Sequence, residues 1–166
     1  QTIKGRAGRP APSAQKQEGF RVTKHLAIIA GKGRMPLELA HAAADNGYMP
    51  LVMPINGQAD ADFTGFETTP IRLGAIGSTR ALLLERGIDQ LVLAGKVEWP
   101  SLRDLQPDLD GVKLMGKMLT RGDDKVLRLL KEYFAAQGIA IIGTDRFMQS
   151  RVMIEGLQAG DPPSPA

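Results

Sequence analysis

The 166-residue chain has no cysteine, which removes disulfides and thiolate chemistry from consideration. It has no apolar run long enough to span a bilayer as a helix. Histidine is scarce. His25 opens the first apolar run, and His41 falls inside an expected helix. Neither stands at an informative spacing from a serine or an acid, so a histidine-based triad is not indicated. Two nucleotide-binding signatures are also lacking. The dinucleotide fingerprint needs a third glycine where Pro36 stands, and an acid at the end of the second strand where Asn56 stands. A Walker loop needs Gly-Lys followed by Ser or Thr, and no such triplet follows the first strand. No internal repeat is visible.

The excess of positive charge is local. Residues 1–23 carry Lys4, Arg6, Arg9, Lys16 and Arg21 against Glu18, a net of +4, whereas the whole chain is +3. The remainder therefore sums to −1. This segment is poor in apolar residues and rich in Gly, Pro, Ser and Gln, so a disordered basic extension is expected over 1–23. It has no hydrophobic centre and does not read as a secretory signal. So few charges favour an incidental extension over nucleic-acid docking, and no nucleic-acid partner is expected. The first residue is Gln1, not Met, which suggests a processed or partial chain with Val22 as a candidate natural start.

Beyond the extension, short apolar runs alternate with helical patterns. Strands are expected over about His25–Ala30, Leu51–Ile55, Thr69–Leu73, Gln90–Ala94 and Ile139–Ile142. Helices are expected over Pro36–Asn46, from a Ser78 or Thr79 cap to Arg86, over Val112–Leu119, and after Asp124. In the last of these, Val126, Leu129, Leu130 and Tyr133 fall on one stripe. Continuous apolar strands separated by helices indicate a mainly parallel sheet covered on both faces. The expected fold is α/β, a Rossmann-like three-layer domain over residues 24–150, with 151–166 as a linker or frayed terminus.

Ligands of such sheets bind at the carboxyl ends of the strands, and marked loops fall there. Gly31-Lys32-Gly33-Arg34 lies between the first strand and a helix opened by Pro36. Glycines allow close backbone approach, and N–H groups at a helix start beside two cations favour an anion. A plain tight turn is the competing reading. Gly74-Ala75-Ile76-Gly77 precedes the second helix. Residues 95–108 form a long loop in which Gly95, Lys96, Ser101 and Arg103 could contact phosphate, or in which the prolines only start turns. Trp99 in that loop covers a ligand's apolar part or packs. Asp123 and Asp124 could hold a divalent cation, but the residues alone favour an acidic helix cap.

Together, Ile28–Pro36, Arg72–Gly77, Ala94–Val97 with Pro100–Asp108, and Arg121–Asp124 resemble one family. They look like the N-terminal domain of the UDP-2,3-diacylglucosamine pyrophosphatases of the LpxI type, in order, over about 24–150. The resemblance implies a Mg2+-dependent hydrolase that splits UDP-2,3-diacylglucosamine into UMP and 2,3-diacylglucosamine 1-phosphate in lipid A biosynthesis. It implies a cytoplasmic enzyme at the inner membrane surface, with peripheral membrane contact and a homodimeric full-length form. It further implies a second, C-terminal domain that supplies an essential carboxylate and much of the acyl-chain pocket, and that is absent from these 166 residues. On this likeness Gly31, Lys32, Gly33, Arg34, Gly74, Gly77, Gly95, Lys96, Ser101 and Arg103 are expected substrate contacts, with Asp123 and Asp124 as second-tier catalytic candidates. A stand-alone nucleotide-binding module without turnover is the alternative. A nucleotide-dependent transferase or oxidoreductase is a third reading, its oxidoreductase form disfavoured by the missing fingerprint.

Overall fold

The computed structural model describes residues 23–98, 105–119 and 126–148. Nine elements follow one another: β1 (Lys24–Ala30), α1 (Met35–Asp45), β2 (Tyr48–Pro54), β3 (Glu67–Thr68), α2 (Ile76–Glu85), β4 (Gln90–Ala94), α3 (Leu109–Leu119), α4 (Val126–Ala135) and β5 (Ala140–Ile142). The strands form one parallel sheet in the order β3-β2-β1-β4-β5. The expected three-layer α/β architecture is therefore what the chain adopts.

Strand residues alternate between two cores, as the period of two requires. Leu26, Ile28, Ala30, Val52, Val92 and Ala94 pack with Leu39, Ala40 and Ala43 of α1. Ala27, Leu51, Met53 and Leu91 face the other way, onto Leu83 of α2 and Phe134 of α4. Each fully buried Leu, Ile or Phe contributes about 1.5–3 kcal/mol, far more than any surface ion pair here. The central strands are thus held by apolar burial on both faces.

Several boundaries differ from the sequence expectation, each for a physical reason. β2 starts at Tyr48 and not Leu51, and it contains both Pro50 and Pro54. β3 pairs only with Leu51 and Val52, and Pro54 uses its carbonyl to accept from Ile71 N–H. The prolines therefore cost the ladder little. The pairing expected over Thr69–Leu73 is split. β3 comes earlier, Pro70 interrupts it, and Ile71 rejoins as an isolated bridge to Ile55. α2 starts at Ile76, so Ser78 and Thr79 lie in its first turn and do not cap it with their side chains. The Thr79 hydroxyl instead donates to the Ala75 carbonyl at 2.8 Å. α3 begins at Leu109, three residues before the expected start, because Asp108 caps it.

Candidate functional site at the carboxyl rim of the sheet

The chain winds outward from β1 to β2 and β3, then returns through α2 to β4 on the other side of β1. The direction of winding reverses between β1 and β4. In open α/β sheets this is where a ligand crevice forms, beyond the carboxyl ends of the two strands.

The loops leaving β1 and β4 are joined there. Gly31 N–H donates to the Ala94 carbonyl at 2.9 Å, Lys32 N–H to the Lys96 carbonyl at 2.8 Å, and Lys96 N–H to the Lys32 carbonyl at 3.0 Å. The last two make a short antiparallel bridge, Lys32 to Lys96. Such proximity explains two of the glycines. A Cβ on Gly31 would collide with the Lys96 carbonyl, and one on Gly95 would lie 2.7 Å from the Lys32 carbonyl and 3.0 Å from Pro36 Cγ. Gly95 also has φ +85°, a backbone region that side chains disfavour. Gly33 is different. Its φ is +96°, and a Cβ there would meet no atom of the described residues within 4 Å. Gly31 and Gly95 therefore serve the approach of loop to loop, whereas Gly33 presents open backbone.

Two acids reach this region, one from a third loop and one from further along the loop after β4. Asp60, in the loop between β2 and β3, accepts from Gly33 N–H at 2.7 Å. Glu98 pairs with the Lys32 ammonium at 2.9 Å. That hydrogen bond and the charge of Lys32 hold the Glu98 carboxyl below its usual range against an opposing effect of desolvation, with Lys96 adding a lesser pull. Gln58 fixes the Glu98 backbone from both sides, donating its amide to the Glu98 carbonyl and accepting from Glu98 N–H at 2.7 Å. Arg34, the residue before α1, makes no side-chain cap. Three loops thus meet at the rim with Lys32, Lys96 and the Gly33 N–H among them.

The Gly74–Gly77 turn follows β3 onto the same rim but packs against the 105–111 segment. Gly74 has φ +91°, and a Cβ there would lie 3.3 Å from Pro107 Cα. The Asp108 carboxylate serves two helices at once. One oxygen accepts from Ser78 N–H at 2.8 Å and the other from Gly111 N–H at 2.8 Å, with Gly77 N–H as a further donor. Burial pushes the Asp108 carboxyl up, but these bonds outweigh it and leave it below its usual range. Next to it, Asp110 joins Arg80 at 3.1 Å and accepts from the Tyr133 hydroxyl at 2.7 Å. Burial, then that hydrogen bond, pushes the Tyr133 hydroxyl up to about 12. The donors at the start of α2 are therefore supplied with an internal anion.

Of the expected contacts, Gly31, Lys32, Gly33, Gly95 and Lys96 are brought together, and Gly74 and Gly77 form a second cluster with Asp108 and Gly111. Ser101, Arg103, Trp99, Asp123 and Asp124 lie outside the described residues. Among the described residues no three His, Asp or Glu side chains gather to hold a metal ion. Magnesium ligands are therefore not assigned among these residues. Sequence reasoning missed Gln58, Asp60, Glu98 and Asp108 as rim residues. Asp108 had a legible signal, an acid three residues before Gly111 at a helix start. The others act across the fold and had none.

A cleft of about 320 Å³ opens at the opposite, amino-terminal rim, lined by His25, Tyr48, Met49, Phe66, Glu67 and Arg86 among others. Arg86 and Glu67 are ion-paired across its wall.

An all-parallel sheet in this order, with glycine turns and cations at its switch point, defines a Rossmann-like α/β domain. The family model described as the LpxI N-terminal domain matches residues 25–151. The chain belongs to that family. It is similar to the UDP-2,3-diacylglucosamine pyrophosphatase LpxI of Caulobacter vibrioides, with 28% identity over 145 residues. The alignment takes in 86% of this chain and 52% of that protein, so the chain spans about half the length of this relative. No helix among the described residues is long and apolar enough to cross a membrane.

Proposed function

We propose that this chain is the nucleotide-sugar-binding part of a hydrolase that cleaves the pyrophosphate of UDP-2,3-diacylglucosamine. Water adds across the P–O–P bond, giving UMP and 2,3-diacylglucosamine 1-phosphate. The observation that carries the reading is the joining of the β1 and β4 loops at the switch point of the sheet, in a chain of the LpxI N-terminal domain family. The name of the Caulobacter relative supports the substrate.

Hydrolysis of a phosphoanhydride needs charge neutralised on the phosphate oxygens and a water held in line. The rim supplies the first. Lys32, Lys96 and Arg34 bring positive charge, and the Gly33 N–H, bonded to Asp60 in the empty protein, stands just before α1. The group that activates water is not assigned to this chain. In this reading it comes from a further domain, with magnesium as the metal, in a homodimer at the cytoplasmic face of the membrane. Activity of the 166 residues alone is accordingly expected to be slight.

Calorimetric titration with UDP, NAD and ATP, with a hydrolysis assay on the lipid-linked UDP-sugar, tests this. Binding of UDP in preference to NAD and ATP, with little turnover, is expected. Preferential NAD binding would overturn the assignment. Full turnover by this chain would show that the missing chemistry was wrongly placed elsewhere. UDP binding by a full-length protein that lacks hydrolytic activity would leave a binding module without turnover.

A further inference from the structure

The Gly33 N–H, a donor at the rim just before α1, is already held by a carboxylate of the protein. Asp60 Oδ1 lies 2.7 Å from Gly33 N, and a Cβ built on Gly33 would meet no atom of the described residues within 4 Å. The space beside the Gly33 Cα is open among the described residues, and the Asp60 side chain is itself exposed. The carboxylate stands at the positive end of α1, where a ligand anion would be most favoured. We infer that Asp60 is a built-in competitor for the ligand phosphate: its carboxylate keeps the Gly33 N–H satisfied in the empty protein and must turn away when a nucleoside diphosphate binds. The inference rests on the functional reading above.

Three further observations fit a displaceable carboxylate. First, Asp60 is exposed, so water can solvate it once it leaves. Second, the chain on either side is fixed independently. Gln58 N–H and Ala59 N–H both bond the Ile55 carbonyl at 3.0 Å, and Asp62 accepts from Thr64 N–H at 2.9 Å, with Phe63 buried between. Rotation of the Asp60 side chain suffices, and the loop need not open. Third, the neighbouring cation has the same arrangement, because Glu98 holds the Lys32 ammonium from yet another loop. An anion that stays would repel a diphosphate as well as block its donor. With both acids in place, the rim discriminates against weak single anions and admits a ligand that can replace them.

The test compares the wild-type chain with Asp60→Ala and Asp60→Asn in calorimetric titrations with UDP and, separately, with uridine. Thermal unfolding of each protein confirms that it is folded. Removing the competitor should tighten UDP binding by about tenfold, the size of one charge-assisted hydrogen bond. Asp60→Asn keeps an acceptor without the charge and should fall between. Uridine has no phosphate, so its affinity should not change. In wild type, the Gly33 amide resonance should move when UDP is added. Unchanged or weaker UDP binding by folded Asp60→Ala would overturn the inference while leaving the functional reading intact. Equal tightening of uridine would overturn it too, by showing a loop effect and not competition for phosphate. No UDP binding by any of the three folded proteins would overturn both.

Discussion

Asp108→Ala removes one carboxylate from two helix starts. At α3 the carboxylate is the ordinary side-chain cap, bonded through one oxygen to Gly111 N–H at 2.8 Å. At α2 it comes from a distant part of the chain and serves Ser78 N–H at 2.8 Å, with Gly77 N–H beside it. Loss of one such cap costs about 1 kcal/mol, within a range of about 0.5–2. Two caps together, with three backbone donors left to find water, give about 2–3 kcal/mol. At a urea slope of about 2 kcal/mol/M the unfolding midpoint should fall by about 1 M or more, with the slope unchanged. Asp108→Asn keeps one of the two acceptor oxygens and should lose about half as much. The pH dependence follows from the lowered carboxyl of Asp108. Its contribution is present above the unfolded carboxylate value near pH 4 and is lost as pH falls through the lower folded value. The difference in midpoint between wild type and Asp108→Ala should therefore shrink below about pH 4. An Asp108→Ala protein within about 0.5 kcal/mol of wild type at pH 7 would refute the double-cap reasoning.

The glycines at the rim should rank by their surroundings. Gly95→Ala, with both a close carbonyl and a positive φ, should destabilise most, followed by Gly31→Ala at about 1–3 kcal/mol. Gly33→Ala should suffer only its backbone strain while still weakening UDP binding; denaturation midpoints in a different order would contradict these roles. Tyr133→Phe loses a hydrogen bond to a carboxylate and should cost about 1–2 kcal/mol in chemical denaturation. Because that hydroxyl is raised to about 12, its stabilisation should persist to about pH 10 and fade as pH rises towards 12, which alkaline unfolding followed by tyrosine absorbance would read. Lys96→Ala should weaken UDP binding, and more so at low salt; a salt-independent loss would point to packing instead.

The sheet was legible because its strands are uninterrupted apolar runs, Leu26–Ala30 and Leu91–Ala94 above all, and burial on both faces leaves no other placement for them. Their parallel direction followed from the alternation with helices, whereas their order did not. The edges were harder to read. Proline marks Pro50 and Pro70 as breaks in sequence, but one sits inside β2 and the other only divides a ladder, according to which neighbour lies alongside. The start of α2 was hidden for a related reason. Its first turn is satisfied by Asp108, 30 residues beyond Ser78, so no local cap residue was needed. Glycines announced the rim, yet their spacing could not show that Gly31 and Gly95 face each other while Gly33 faces open space. The pairing of Asp60 with Gly33 and of Glu98 with Lys32 joins residues 27 and 66 positions apart, and only the fold brings them together. Sequence reasoning is strong on burial and weak on which polar groups meet across loops.

The seat of the ligand is the central claim, and amide chemical-shift mapping of this chain during titration with UDP addresses it most directly. The account predicts that the first and largest shifts fall on Gly33, Lys32 and Lys96, at the carboxyl ends of β1 and β4. Shifts confined to His25, Tyr48, Phe66 and Arg86, around the cleft at the other end of the strands, would contradict it.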